Sequence, residues 1–327
     1  MKNLDLKSLV VWAFHRGGGG KIAFTMAEIL LSLTIISVVA AITLPSLTGN
    51  INERTWNTQR KALYARMSQA ISLMPALNGY GTLDETTDTA AETFVTAGLS
   101  KVMKINNICD SEHLENCGIP NKFTSLNGNI VELNNIKTLT DFNSRFEASF
   151  SGYPKYTQLN SKAAAFETQN GESILVYYNP SCIGNLLQTS THFIQPYMCA
   201  NFIYDLNGNK GPNTVGKDIG FMTAIYPTDS EFVAPMPLTK NLPNAHSQID
   251  AGKYCTKEDN SRLPNRYEIA SMFYNDKLVN IASDGLYWSN TVISAGGNGK
   301  GWAQSFYAGR IYNYDRSTPY LVRCIKR

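Results

Sequence analysis

Apolar residues are spread very unevenly along this chain. Between Lys21 and Glu53 the only charged side chain is Glu28, and Ile29 to Leu44 is apolar apart from isolated Ser and Thr. Such hydroxyls bond back to the preceding helical turn, so length and polarity together predict a membrane-spanning helix. Beyond Pro45 the continuous run becomes a stripe, in which Trp56, Leu63, Met67, Ala70 or Ile71 and Met74 recur at helical spacing. This predicts an amphipathic helix with one apolar face. Pro45 lacks a backbone donor and is expected to kink the run. A helix from Phe24 to about Leu77 would measure about 80 Å, with its second half packed on the domain that follows.

Strand periodicity appears later. Residues 78–162 are rich in Thr, Asn and Gly and define no role. AAAFETQNGESILVYYNP then carries two apolar runs around Asn170-Gly171, a strong hairpin signal. HFIQPYMCANFIYDLNGNKGPNTVGKDIGFMTAIYP predicts two more strands around a polar turn. Pro227, Pro235, Pro237 and Pro243 interrupt residues 227–249, which are expected to be a linker. Past it, Asn265 with Glu268 forms a capping box that opens a short helix. GLYWSNT, GWAQSFYAGRIYNY and PYLVRCIKR follow as strands.

Charge and cysteine content sharpen this outline. The chain has 327 residues and a formal net charge of +3. Residues 1–23 hold Lys2, Lys7, Arg16 and Lys21 against Asp5, so the remainder is near neutral. A basic leader favours the cytoplasmic side and puts the downstream chain outside. Near-neutrality argues against a broad nucleic-acid face. All six cysteines lie downstream of the apolar run, where disulfides are the expected state. Six cysteines allow about fifteen pairings. Consecutive pairing, Cys109 with Cys117, Cys182 with Cys199 and Cys255 with Cys324, would staple three successive units. Zinc is disfavoured, because no C-x-x-C and no His pair at ligand spacing accompanies them.

Candidate chemistry is sparse. Gly17 to Lys21 is not a phosphate loop, since Ile22 stands where Ser or Thr is needed and no strand precedes it. Asp205, Asn207 and Asn209 alternate so as to offer oxygens to a calcium ion, with Asp218 able to join them. The competing reading is side-chain to backbone bonding within a turn; Lys210 stands where an EF-type loop has glycine, and no glutamate closes the loop. Calcium is the only cofactor candidate. No H-E-x-x-H, G-x-S-x-G or similar constellation appears, so the chain is expected not to be an enzyme.

A-F-T-M-A-E-I-L-L-S-L followed by A-I-T-L-P resembles the type IV prepilin signature, a small residue, F-T-L-x-E and an apolar run ending near proline. The resemblance implies that a dedicated prepilin peptidase cuts between Ala23 and Phe24 and methylates the new amine. Glycine is commoner where Ala23 stands, and an ordinary uncleaved signal anchor is the bland alternative. The resemblance gives Glu28 an assembly role, pairing with the amine of Phe24 in the same or an adjoining subunit. The alternative role for Glu28 is recognition by the peptidase. The tract DLNGNKGPNTVGKDIGF is similar to one common near the end of pilin and pseudopilin heads, with Gly220 as a one-residue departure.

R-L-P-x-x-x-E-I, Y-W-S-x-T, W-A-x-x-F and Y-x-V-R-C in residues 250–327 resemble a C-type-lectin-like domain of bacterial surface proteins. Ser261 and Asn265 depart from the residues usual there. The resemblance pairs Cys255 with Cys324 and implies a module that folds alone when oxidised; Trp288 and Trp302 are expected in its core. The expected fold class is therefore α+β. It comprises a leader (1–23), a transmembrane and assembly helix (24–47), a pilin-like antiparallel head that includes the amphipathic half-helix (48–226), the linker (227–249) and the lectin-like module (250–327).

The implied function is a minor or tip subunit of a type IV pilus or related filament, with the C-terminal module serving adhesion or ligand binding. The alternatives are a type II secretion pseudopilin and, in another class, a membrane-anchored lectin-like receptor or enzyme. Implied partners are other pilin subunits, the prepilin peptidase, the inner-membrane assembly machinery, membrane lipid before assembly, and a surface glycan or protein ligand. The implied location is the inner membrane, then an extracellular or periplasmic filament.

Overall fold

The apolar run and the amphipathic stripe form one element, helix α1, which spans Met26–Leu77 and passes through Pro45. The structure, a computed structural model, describes residues 26–77, 90–133, 136–138, 141, 162–179, 193–194, 197–226, 231–241, 244–257, 260–281, 285–293, 299–307 and 309–327. Early in α1, Ser32 Oγ donates to the carbonyl of Ile29 at 3.0 Å and Ser37 Oγ to that of Leu33 at 2.7 Å, as expected for hydroxyls in an apolar helix. The membrane-spanning expectation is corrected. Among the described residues no helix is long and apolar enough to cross a membrane. The unbroken apolar stretch of α1 runs only from Ile29 to Leu44, ahead of Pro45, short of the roughly 20 consecutive apolar residues that a bilayer core demands.

The chain divides into two compact units, Met1–Arg54 and Thr55–Arg327. In the second, strands β1 (Ile105–Cys109), β2 (Lys122–Thr124), β3 (Ile130–Glu132), β4 (Ala164–Thr168) and β5 (Ser173–Tyr178) come first. They are followed by β6 (Phe193–Ile194), β7 (Tyr197–Asp205), β8 (Ile219–Tyr226), β9 (Glu231–Val233) and β10 (Pro237–Asn241). Helix α2 (Gln248–Lys257), β11 (Ser261–Arg262), helix α3 (Arg266–Tyr274) and helix α4 (Asp276–Val279) lead into β12 (Leu286–Val292), β13 (Lys300–Ser305), β14 (Ile311–Asp315) and β15 (Arg323–Lys326).

The principal sheet is antiparallel, with strand order β1-β4-β5-β7-β8-β9. The Asn170-Gly171 hairpin forms as expected: Glu167 faces Ser173 in the register, and Gly171 holds φ at +82°. Every residue of β5 is buried, because both faces of the sheet are covered. On one face Ile174, Val176, Phe202 and Met222 join Leu63, Met67, Ala70 and Met74 of α1. The other face places Leu175, Tyr177, Ile203 and Phe221 in one cluster with Ile269, Met272 and Phe273 of α3.

That second face corrects the expectation of a separate C-terminal module. Residues 250–327 share the sheet's core and belong to the same compact unit. Residues 227–249 are not merely a linker, since they supply β9, which pairs with β8, and β10, which pairs with β15. Strand β6, before the linker, extends the β12-β13-β14 sheet at its β14 edge. Hydrogen bonds across these junctions tie the two regions together, whereas a linker would have left both edges open.

Candidate functional site

The tract DLNGNKGPNTVGKD closes the β7-β8 hairpin, where Asp205 lies beside Ile219 in the register. Its two aspartates are buried, Asp205 at 1% and Asp218 at 0% exposure. Short polar residues organise the turn through their own backbone. Asp205 Oδ1 accepts from the Asn207 amide at 3.1 Å, and the Asp218 carboxylate accepts from the amides of Asn213 and Thr214, both at 2.8 Å. Asn207 Nδ2 donates across the loop to the Gly211 carbonyl at 3.2 Å.

Three neighbouring elements fix this loop. Arg60 of α1 donates to the carbonyls of Lys217 (2.6 Å) and Gly216 (3.4 Å). Thr124 of β2 donates its amide to the Asn213 carbonyl and accepts from the Val215 amide, each at 2.8 Å. Gly118, just after Cys117, approaches Gly208 so closely that a Cβ built on it would lie 3.7 Å from the Gly208 Cα and 2.6 Å from Ser173 Oγ. The loop is thus held rigidly from the helix, the sheet and the disulfide-closed segment.

Within this frame, Asp205 Oδ2, Asn207 Oδ1 and Asn213 Oδ1 are buried and, among the described residues, have no hydrogen-bond partner. An unmade bond to a buried polar atom costs about 1–3 kcal/mol. Burial, with the Asp218 charge adding to it, pushes the Asp205 carboxyl up to about 7 despite the amide donations from Asn207 and Gly208. The site therefore concentrates acceptors and negative charge, and three of its buried oxygens meet no donor among the described residues.

Of the four residues read from sequence as a calcium set, the fold brings Asp205, Asn207 and Asp218 together. Asn209 is exposed. Asn213, on the returning arm, was missed; its one local signal is the G-P-N sequence, which sets it in the left-handed region at φ +50°. Among the described residues no group of three His, Cys, Asp or Glu side chains is placed to hold a metal. The donor set here is instead two carboxylates and two amides.

The remaining candidates are scattered. Ala23 and Phe24 lie outside the described residues; Glu28 is in the first turn of α1 and exposed. The Cys109–Cys117 and Cys255–Cys324 disulfides form as expected. Cys199 is also disulfide-bonded, and its expected partner, Cys182, lies outside the described residues. Trp288 is fully buried and Trp302 is 9% exposed. The Asn265–Glu268 capping box is complete. Beside it, Arg266 stacks over the Tyr267 ring at 4.6 Å, on the rim of an open cavity of about 440 Å³ that also meets Thr291 and Trp302. No protein-family model matches this chain, and no curated protein does.

Proposed function

We propose that this chain is a subunit of a type IV pilus or related filament, matured by cleavage between Ala23 and Phe24 and assembled through the N-terminal part of α1. The observation that carries the reading is the division of labour along α1. Its C-terminal half seats Leu63, Met67, Ala70 and Met74 in the core of an antiparallel head. Its N-terminal part carries exposed apolar side chains, among them Leu30 at 60%, Leu31 at 63% and Ile36 at 63%, beside the single carboxylate Glu28. Unburied apolar surface on this scale calls for a partner, and like helices packed together in a filament core supply one.

The head is larger than a minimal helix-and-sheet unit, because residues 250–327 are built into its face. In every subunit of a filament such a head would crowd its neighbours, which favours a minor or tip position. The cavity rimmed by Arg266 and Tyr267 gives that position a surface for a glycan or protein ligand. The corresponding location is the inner membrane during assembly and an extracellular or periplasmic filament afterwards.

Intact-mass and N-terminal peptide analysis of the protein from its native cells tests the proposal. The expected product begins at N-methylated Phe24 and is recovered in sheared filaments. Protein that begins at Met1 and is absent from filaments overturns it.

A further inference from the structure

We infer that the open cavity at the start of α3 binds a carboxylate-bearing sugar, a uronic-acid unit of a glycan, with Arg266 as the residue that takes its charge. The inference rests on the proposed ligand face of the head and names the chemistry of that ligand. Among the described residues lining this cavity of about 440 Å³, Arg266 is the one charged side chain and no carboxylate is present.

The polar groups here have donors to spare and their acceptors are spent. The Asn265 side-chain oxygen accepts from the Tyr267 and Glu268 amides at 2.9 and 2.8 Å, and Thr291 Oγ1 accepts from the Arg266 amide at 3.0 Å. The first amides of α3 are therefore closed off, and recognition falls to side chains. What remains is Nδ2 of Asn265 and the O–H of Thr291, neither of which meets an acceptor among the described residues.

Arg266 is the decisive group. Arg262, four residues earlier, is neutralised by Glu268, whose carboxylate also accepts the Asn265 amide at 2.8 Å. Arg266 has no carboxylate within ion-pair distance among the described residues. Its guanidinium lies over the Tyr267 ring, 4.6 Å from the centroid, and Nη2 donates to Tyr267 Oη at 2.5 Å. Stacking pre-organises the planar fork, which suits two parallel bonds to a carboxylate.

Val292 and Ile293, 43% and 46% exposed, put apolar surface beside these donors, the combination that holds and orients a small ligand. A small inorganic anion would use Arg266 and leave that surface wet. A neutral sugar would bring no charge to Arg266, and an acidic peptide would bring backbone amide donors that these side chains do not accept. A sugar ring with a carboxylate sets its charge on Arg266, its oxygens on Asn265 and Thr291 and its C–H face on the apolar wall, while its other hydroxyls face the open side.

Calorimetric titration of the purified full chain with trigalacturonate, its methyl ester and a hexaglutamate peptide tests the assignment. Trigalacturonate should bind saturably. Its ester keeps the rings and removes the charge, and should bind about tenfold more weakly, the loss expected for a charge-assisted contact. Arg266→Gln should weaken trigalacturonate binding by a similar factor, with Arg266→Lys between it and wild type, because lysine keeps the charge without the fork. Val292→Asp sets a carboxylate on an exposed wall position and should weaken binding too. The assignment falls if trigalacturonate shows no saturable binding, if the ester binds as well, if the peptide binds more tightly, or if Arg266→Gln binds like wild type. Should Arg266→Gln not fold, Val292→Asp decides the matter. The titration needs neither cleavage before Phe24 nor assembly, so its failure beside N-methylated Phe24 in filaments overturns this assignment alone.

Discussion

Asn201 and Asn275 exchange two hydrogen bonds in the interior of the head: Nδ2 of Asn201 donates to Oδ1 of Asn275 at 2.8 Å, and Nδ2 of Asn275 donates back to Oδ1 of Asn201 at 2.9 Å. Both residues are fully buried, and they come from β7 and from the C-terminal end of α3. Thr223 Oγ1 donates to the same Asn201 oxygen and lies 2.6 Å from Ser271 Oγ. This closed network fixes how α3 sits on the sheet, since any slip would strand amide groups away from water.

Replacement of either asparagine should therefore be costly. Asn201→Leu removes both bonds of the pair and leaves Asn275 Oδ1 without that donor, so it should lower stability by about 1–3 kcal/mol in urea unfolding. Asn275→Leu should act similarly. The double variant should lose less than the sum of the two, because both substitutions break the same contact. Strict additivity would show that the network does not couple α3 to the sheet.

The second expectation concerns residues 250–327 taken alone. In that fragment Ile269, Met272 and Phe273 would lose the sheet residues with which they form one core, and β15 would lose β10. Its disulfide closes a separation of 69 residues, worth roughly 4 kcal/mol through the unfolded chain, which does not replace a missing face of the core. The oxidised fragment should give no cooperative melt and poorly dispersed amide resonances. A sharp melt would restore the view of a module that folds alone.

What could be read from the sequence was what neighbouring residues decide. The stripe from Leu63 to Met74, the Asn170-Gly171 hairpin and the Asn265–Glu268 box depend on spacing within a few turns, and all form. The shared core could not be read, because the apolar face of α3 looks the same whether it covers its own module or another sheet. Prolines in 227–249 suggested a linker, yet Pro237 sits at the start of an edge strand, where its missing donor is tolerated. In the hairpin loop, alternation pointed to Asn209, but the turn reverses the chain and brings Asn213 in from the other arm.

Gly220 shows the same tertiary effect at one atom. It lies opposite Tyr204 in the β7-β8 register, and a Cβ built on it would fall 2.2 Å from Tyr204 Oη and 2.4 Å from Cζ. The Tyr204 ring is buried beside Arg60 and cannot retreat freely. Gly220→Ala should destabilise the head by about 1–3 kcal/mol, as overpacking does, and pairing it with Tyr204→Leu should recover part of the loss. A melting temperature unchanged by Gly220→Ala would show that the ring has room to move.

The last prediction concerns Glu28 and rests on the proposed filament. In the proposed filament subunit, cleavage before Phe24 creates a positive amine four residues ahead of Glu28 in the sequence, the spacing at which helical neighbours meet. In a tightly packed bundle of such helices the carboxylate can meet the amine of its own chain or of an adjoining one. Either charge left alone in a low-dielectric core is strongly unfavourable, so pairing between subunits selects one axial register over the alternatives. Glu28→Gln keeps the side chain's shape and removes its charge. Processing should therefore remain intact while recovery of the variant in sheared filaments drops. A drop on the order of tenfold corresponds to about 1.4 kcal/mol per incorporation step. Normal cleavage together with wild-type recovery in filaments would refute charge pairing. Failure of cleavage itself would instead place the role of Glu28 in recognition by the peptidase.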